Sequence, residues 1–216
     1  YQPKSKSFVF SDVRPPIIVT GHTGGGTSIV FKFLVSMGLY RGQDNGHFDR
    51  KKPLESPLFR AILNGINDHN TLEEILENVD RLAKSTKLNI ADYFDYFWGE
   101  EQPNLKWGFK KPSLDKSSII LSNIFPDAKV VSVVKNQKGS HTTKEGSDFG
   151  RAHEADVAHQ QRPLFEGNRT FHLIYEKFFD DYHYANKVLR FCELEEIRDQ
   201  EDFEQTLEAI KYEKVV

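Results

Sequence analysis

A glycine-rich segment at residues 21–28 carries the clearest chemistry in this 216-residue sequence. Its letters, GHTGGGTS, stand between a short β-branched run at residues 17–20 and a mostly apolar stretch at residues 28–37. Three successive glycines let a backbone approach an anion closely, and a loop that enters a helix offers unpaired N–H groups at the positive end of the helix dipole. Thr27 and Ser28 add two hydroxyl donors. The segment therefore predicts a site for a phosphate-like anion.

The spacing of this loop bears on the class of nucleotide-binding protein. G-x-x-x-x-G matches the first part of a Walker A loop, but Thr27 stands where that motif requires Lys. A later β-branched run ends at Val134 and continues into Lys135, so no Asp is placed there to bind a metal as a Walker B residue does. A P-loop kinase or NTPase that uses ATP and Mg²⁺ is therefore the weaker alternative. A turn that only packs a strand against a helix is a second alternative.

Composition and charge further narrow the class of protein to which this sequence can belong. Hydrophobic residues make up 38% and charged residues 28%, and the length suits one globular domain at residues 1–216 with a flexible segment at residues 1–14. The net charge of -3 gives no reason to expect nucleic-acid binding. The single Cys, the absence of a signal-peptide pattern and the absence of a long apolar run predict a cytoplasmic protein without a transmembrane segment. The eight His residues have no metal-ligand spacing, so we predict no metal site. Nothing in the sequence indicates an oligomeric state.

Strand and helix patterns alternate along the chain. Strand patterns occur at residues 17–20, 106–110, 128–134 and 170–175, and helical patterns at residues 28–37, 113–125, 176–191 and 201–212. This alternation predicts an α/β fold with a mostly parallel central sheet flanked by helices, similar to that of P-loop NTPases. Residues 53–98 are predicted to form a helical insertion after the first βα unit, with helices at residues 71–84 and 89–98.

Four segments resemble sulfotransferases that use 3′-phosphoadenosine 5′-phosphosulfate (PAPS). The strand and loop at residues 16–28 resemble their 5′-phosphosulfate loop, and WGFKKP at residues 107–112 resembles the WGxKxP stretch of bacterial members. FPDAK followed by VVSVVK, at residues 125–135, resembles the strand that leads to the 3′-phosphate site. Residues 173–194 resemble the strand with a Tyr-Glu pair and the helix after it. The four segments follow one another in the family's order.

The resemblance implies an enzyme that moves a sulfuryl group from PAPS to a hydroxyl or amine and releases adenosine 3′,5′-bisphosphate (PAP), with no metal. The acceptor would be a small molecule, a carbohydrate or a lipid. The residues implied to hold the 5′-phosphosulfate are Thr23, Gly24, Gly25, Gly26, Thr27 and Ser28. The residues implied to hold the 3′-phosphate are Lys135 and Thr143, where the family has Arg and Ser.

One departure from the family's pattern concerns catalysis. Family loops usually carry Lys or Arg where Gly24 stands, and that cation stabilises the leaving group. We predict that Lys110, at the end of a strand, supplies the cation instead. A further alternative is a homologue of these sulfotransferases that binds the nucleotide and has lost catalysis.

Other residues leave more than one interpretation open. The proton of the acceptor could pass to Asp44, His47 or Asp49 in the polar stretch after the first helix, or to His22 within the glycine loop. Trp107 could stack on adenine or fill the core. The Tyr-Glu pair, Tyr175 and Glu176, is interpreted as structural.

Overall fold

The central feature of the fold is a four-stranded parallel sheet. A computed structural model describes residues 14–21, 25–41, 72–97, 105–111, 117–135 and 169–212. The strands, in chain order, are β1 (Ile17–Gly21), β2 (Gly108–Lys110), β3 (Lys129–Val134) and β4 (Thr170–Ile174). Their order across the sheet is β2-β1-β3-β4, and each neighbouring pair is parallel.

Helices follow β1, β2 and β4 along the chain. In chain order they are α1 (Thr27–Ser36), α2 (Leu72–Glu77), α3 (Val79–Phe97), α4 (Ser117–Ile124), α5 (Tyr175–Asp180), α6 (Tyr182–Cys192) and α7 (Gln200–Tyr212). The predicted α/β fold with a parallel sheet and flanking helices is confirmed. No helix within the described ranges is both long and apolar enough to cross a membrane.

The sheet is buried on both of its faces, as is typical of a parallel sheet covered by helices. Ile17 and Val19 of β1 belong to the core formed with α1, α5, α6 and α7, and we call this side of the sheet the α1 face. Ile18 belongs to the core formed with α2, α3 and α4, on the side that we call the α4 face. Because side chains alternate along a strand, the position of a residue in its strand decides which face it joins.

The order in which strands are added to the sheet changes side at β1. β2 lies on one side of β1, and β3 and β4 lie on the other. The carboxyl ends of β1 and β3 are level, since Gly21 pairs with Val133. In open parallel sheets, ligands bind in the crevice at such a reversal, outside the carboxyl ends of the strands. The fold therefore directs the start of α1, at Gly26, and Lys135 after β3 toward one crevice.

The helical region between β1 and β2 differs in one detail from the prediction. The break predicted between residues 84 and 89 is wrong, because α3 is continuous there and buries both Thr86 and Ile90. The break lies at Asn78 instead, where the side-chain amide donates a hydrogen bond of 2.8 Å to the Glu74 carbonyl. Thr86 and Ile90 are four residues apart, so one helix face carries both into the core.

A charged contact joins the end of α6 to the amino edge of the sheet. Glu193 follows α6 in the left-handed conformation, with φ of 55°. Its carboxylate lies 2.5 Å from the Lys129 ammonium and 3.5 Å from that of Lys106. Its carbonyl oxygen accepts a further hydrogen bond from Lys106. Because Glu193 contacts both ammonium groups, we interpret Glu193, Lys106 and Lys129 as a clamp that holds the end of α6 to the sheet.

The clamp predicts a pH-dependent contribution to stability. The hydrogen bond from Lys129 lowers the pKa of the Glu193 carboxyl below its usual value. A depressed folded-state pKa stabilises the protein above the unfolded pKa, and this contribution is lost as the pH falls through the folded pKa. Since Glu193 is exposed, we expect Glu193→Gln to cost only about 0.5 to 1 kcal/mol near neutral pH. In urea unfolding this cost should vanish in acid, whereas Glu208→Gln, on the exposed side of α7, should have little effect at either pH. An equal cost for Glu193→Gln at both pH values would contradict the clamp.

Candidate functional site

The start of α1 depends on a glycine with positive φ. Gly26 is the N-cap residue, with φ of 86° and ψ of 8°, and no side chain caps the helix. Its carbonyl accepts hydrogen bonds from the N–H groups of Ile29 and Val30, at 3.1 and 3.2 Å. The N–H groups that precede these two, those of Thr27 and Ser28, have no acceptor within the helix, and the first turn contains no acidic residue. An anion is therefore favoured in front of α1.

A second glycine lets β1 leave the sheet close to β3. Gly21 has φ of 153°, and a Cβ atom at this position would lie 2.5 Å from the Val133 carbonyl oxygen. The Thr27 methyl group lies on the same side, 3.0 Å from the place of that Cβ. Thr27 is 4% exposed, so its side chain belongs to the interior.

Lys110 lies beside the start of α1. Its Nζ donates a hydrogen bond of 3.0 Å to Ser28 Oγ. Lys110 pairs with Val19 in the sheet, and Val19 faces the α1 side. The pleat of β2 therefore directs Lys110 toward the first turn of α1. A cation at this end of a helix is repelled by the helix dipole, so an anion between the two would be favoured by both.

Tyr175 connects the glycine loop with Lys135. A Cβ atom on Gly26 would overlap the Cε2 and Cδ2 atoms of the Tyr175 ring, so the ring is packed directly on this glycine. The Lys135 ammonium lies over the same ring, 5.0 Å from its centroid. Tyr175 follows β4 immediately and opens α5. The start of α1 and the cation after β3 thus contact one aromatic ring.

Burial raises the pKa of two titratable side chains in the described part of the chain, a phenol and a thiol, with different consequences for each. It raises the pKa of the Tyr175 phenol, and the negative charge of Glu176 raises it further, so the phenol is protonated near neutral pH. Burial also raises the pKa of the Cys192 thiol to about 12. A thiol with such a pKa is a poor nucleophile. The Tyr175 phenol can therefore donate a hydrogen bond near neutral pH, whereas Cys192 has a structural role.

Not every residue predicted for the site falls in the described ranges. Gly25, Gly26, Thr27, Ser28, Lys110 and Lys135 are described, and of these Ser28 contacts Lys110. Those outside the described residues are His22, Thr23, Gly24, Asp44, His47, Asp49 and Thr143. The roles predicted for both groups stay predictions, including the choice of the general base.

Trp107 fills the core at the amino end of β2, the end of the strand away from Lys110. It precedes β2, is 1% exposed and packs against Phe125 with ring centroids 5.6 Å apart. Its indole N–H donates a hydrogen bond of 2.7 Å to the Arg14 carbonyl. Of the two interpretations left open by the sequence, core filling is therefore the correct one, and stacking on adenine is excluded by position and burial.

Comparison with known proteins finds similar solved structures. Three of them are sulfotransferase STF1 of Mycobacterium tuberculosis, the sulfotransferase domain of the Synechococcus PCC 7002 olefin synthase, and sulfotransferase STF9 of Mycobacterium avium. All three are sulfotransferases.

The likeness to these sulfotransferases is a distant one. The sequence identities are 14%, 19% and 14%, with TM-scores of 0.49, 0.49 and 0.48. The alignments cover 91%, 88% and 93% of this chain and 71%, 76% and 69% of the respective structures. No model of a known protein family matches the chain, and no curated protein matches it.

Tyr175 is the described residue of this site that sequence reasoning assigned to a structural role alone. The signal for it lies in the strand pattern, since Leu173 faces the α1 side and Tyr175 is two residues further along. A side chain that follows the carboxyl end of a parallel strand on that face points toward the glycine loop. The same pattern applies to Lys135, two residues after Val133. The site is thus formed where three strand ends meet one helix N-terminus.

Proposed function

We propose that this chain is a sulfotransferase that moves a sulfuryl group from PAPS to a hydroxyl or amine of an acceptor. The observation that supports this most is that Gly26 and Lys135 contact the same ring of Tyr175. Two anion-binding places one aromatic ring apart are within the reach of a single nucleotide. They suit a nucleotide that carries phosphate groups at both its 5′ and 3′ positions, which PAPS does and ATP does not.

Each end of the donor has its own group of residues in this proposal. The backbone N–H groups of Gly24, Gly25 and Gly26, with the first turn of α1, hold the 5′-phosphosulfate, as amides at a helix N-terminus hold anions generally. Lys135 binds the 3′-phosphate by charge, together with Thr143. The positive first turn of α1 and the ammonium of Lys110 beside it support the 5′ assignment.

The proposed transfer is a displacement at sulfur. The acceptor oxygen attacks in line, a new oxygen–sulfur bond forms, and the bond from sulfur to the bridging oxygen breaks. The electron pair of that bond stays on the 5′-phosphate of PAP, and the acceptor proton passes to a base, for which Asp44, His47, Asp49 and His22 are the candidates. Negative charge grows on the bridging oxygen, where Lys110 stabilises it.

Nucleotide binding tests the donor before any acceptor is known. Isothermal titration with PAP, ADP and ATP plus Mg²⁺ should give the tightest binding for PAP, because PAP alone carries a 3′-phosphate. Tighter binding of ATP would overturn the proposal in favour of a kinase or NTPase. Transfer of labelled sulfate from PAPS to a panel of sugars, lipids and small hydroxyl and amine compounds then tests turnover. Tight PAP binding without transfer to any member of the panel would favour the non-catalytic homologue, an alternative that Gly24 in place of the loop cation keeps open.

Lys135→Ala tests the 3′-phosphate assignment. We expect it to weaken PAP binding by about 1.5 to 3 kcal/mol, the size of a hydrogen bond to a charged group. ADP has no 3′-phosphate, so its affinity should change little. Lys187→Ala, which removes an exposed lysine from α6, is the matched control and should leave both affinities unchanged. PAP affinity equal to that of the unmodified chain would refute the assignment.

A further inference from the structure

The Lys135 ammonium lies over the ring of Tyr175, 5.0 Å from its centroid. We propose that Tyr175 is a positioning residue that directs Lys135 toward the 3′-phosphate, so that its ring helps to determine how strongly the chain prefers PAP to a nucleotide without that phosphate. This inference rests on the proposed function, and it gives Tyr175 a role beyond its packing against Gly26.

The Tyr175 ring is held in place by neighbours other than Lys135. It packs on Gly26, where an added Cβ atom would overlap it. It also contacts the ring of Phe179, one helical turn further along α5, with centroids 4.7 Å apart. Phe179 in turn meets Phe178, with centroids 5.1 Å apart, and Phe178 is buried in the core on the α1 face. A ring anchored to the core in this way offers a fixed surface to the long, flexible side chain of a lysine.

The ring suits this role because it carries no net charge. An aromatic ring attracts a cation through the negative potential of its face. Burial raises the pKa of the Tyr175 phenol, so the side chain is uncharged near neutral pH. The ring can therefore orient the Lys135 ammonium without cancelling its charge. The ammonium has three N–H donors, and those that do not face the ring can bind phosphate oxygens.

The clamp at the amino edge of the sheet shows the contrast. There Lys106 and Lys129 both contact the carboxylate of Glu193, at 3.5 and 2.5 Å. A carboxylate neutralises the cations that it orients, so these two lysines are poorly suited to bind a second anion. Within the described part of the chain, the contact of the Lys135 ammonium is with an uncharged ring and not with a carboxylate. The fold thus orients this lysine and leaves its charge for a ligand.

Fluorinated phenylalanines at residue 175 test the attraction separately from the shape of the ring. Each fluorine withdraws electron density from the ring face, so the preference for PAP over adenosine 5′-phosphate (AMP) should fall stepwise from phenylalanine to its mono-, di- and trifluorinated forms, by about 3-fold or more overall. AMP lacks only the 3′-phosphate, so the ratio of the two dissociation constants isolates that phosphate. In a Lys135→Ala background, fluorination should not change the ratio. A series that is equally flat in the presence of Lys135 would overturn the positioning role, because packing on Gly26 alone predicts that result.

Three ordinary substitutions give a second comparison of PAP with AMP. Tyr175→Phe keeps the ring and should retain the preference for PAP to within about 2-fold, whereas Tyr175→Leu should lower it by about 3- to 10-fold. Tyr182→Leu is the matched control, since that ring lies beside His183, with centroids 3.9 Å apart, and its loss should leave the preference unchanged. Equal losses in Tyr175→Phe and Tyr175→Leu would show that the hydroxyl carries the effect, and would contradict the inference.

A further readout uses the protein without nucleotide. In protein labelled with ¹³C in its lysine side chains, the Cε protons of Lys135 should resonate upfield of those of Lys187, an exposed lysine of α6, because the ring current of Tyr175 shields them. The shift should persist in Tyr175→Phe and vanish in Tyr175→Leu. An unshifted Lys135 signal would overturn the inference and leave the proposed function intact. If the unmodified chain bound PAP no better than AMP, the proposed function would fail, and this inference with it, even with a shifted Lys135 signal.

Discussion

Replacing Lys110 with Ala is expected to lower the turnover number of sulfuryl transfer by about 100- to 1,000-fold, the effect of removing one preorganised group that stabilises transition-state charge. The ammonium lies 3.0 Å from Ser28 Oγ at the start of α1. Charge on the bridging oxygen develops only as the bond to sulfur breaks, so a cation there stabilises the transition state more than the bound donor. Donor affinity should therefore fall by less than about 5-fold. Steady-state kinetics and a binding titration measure the two effects separately.

Two further variants make this prediction specific. Lys84→Ala removes an exposed lysine from α3 and should leave turnover unchanged. Gly24→Lys in the Lys110→Ala background places a cation where the resembled family carries one and should recover part of the lost turnover. If Lys110→Ala weakened donor binding as much as it slowed transfer, Lys110 would be a binding residue only. If turnover stayed within about 3-fold of normal, the leaving group would have to be stabilised by another cation.

The strands of this protein could be predicted closely from local pattern. The runs at residues 17–20 and 128–134 match the strands Ile17–Gly21 and Lys129–Val134 to within one residue at each end. Both runs are short and β-branched because the sheet is buried on its two faces, and such a pattern depends little on the rest of the chain. The order of the strands could not be predicted this way. It depends on which neighbours β1 accepts, and that is decided by packing between distant segments.

Helix breaks were harder to predict because single polar side chains decide them. The helical pattern at residues 176–191 contains a division at Asp181, whose carboxylate accepts a hydrogen bond of 2.9 Å from the His183 N–H and caps α6. An Asp within a helical pattern is equally consistent with an exposed helical position. The division matters for the site. It makes α5 a separate short helix that begins at Tyr175, against the glycine loop.

The site itself could be predicted in part for a similar reason. Ser28 and Lys110 each belong to a segment with a local motif, so their types were informative before their contact was known. The contact between Tyr175 and Gly26 involves residues about 150 positions apart, and neither one requires the other by its own pattern. Only the level ends of the parallel strands bring them together. Motifs thus indicated the groups that we propose bind anions, and topology placed an aromatic ring between them.

Gly26→Ala is the prediction with the largest expected effect on stability. The left-handed backbone of Gly26, with φ of 86°, costs an L residue about 1 to 2 kcal/mol. The added methyl group would also overlap the Tyr175 ring, and overpacking of this kind typically costs about 1 to 3 kcal/mol more. Because the ring also lies beneath Lys135, we expect its displacement to weaken PAP binding along with stability. Urea unfolding and PAP titration of the same variant measure both losses.

The variant Gly38→Ala separates the backbone cost of Gly26→Ala from the cost of overlap with the Tyr175 ring. Gly38 has φ of 93°, similar to Gly26, but a Cβ atom there would meet nothing within 4 Å. Gly38→Ala should therefore show only the backbone cost and leave PAP binding unchanged, so the difference between the two variants measures the contact with Tyr175. Adding Tyr175→Leu to Gly26→Ala should relieve the overlap and recover stability toward the Gly38→Ala value. It should not recover PAP affinity, since the ring that supports Lys135 is gone. Equal losses of stability in Gly26→Ala and Gly38→Ala would show that the ring moves aside without cost, and the two anion-binding places would then not be held together by Tyr175.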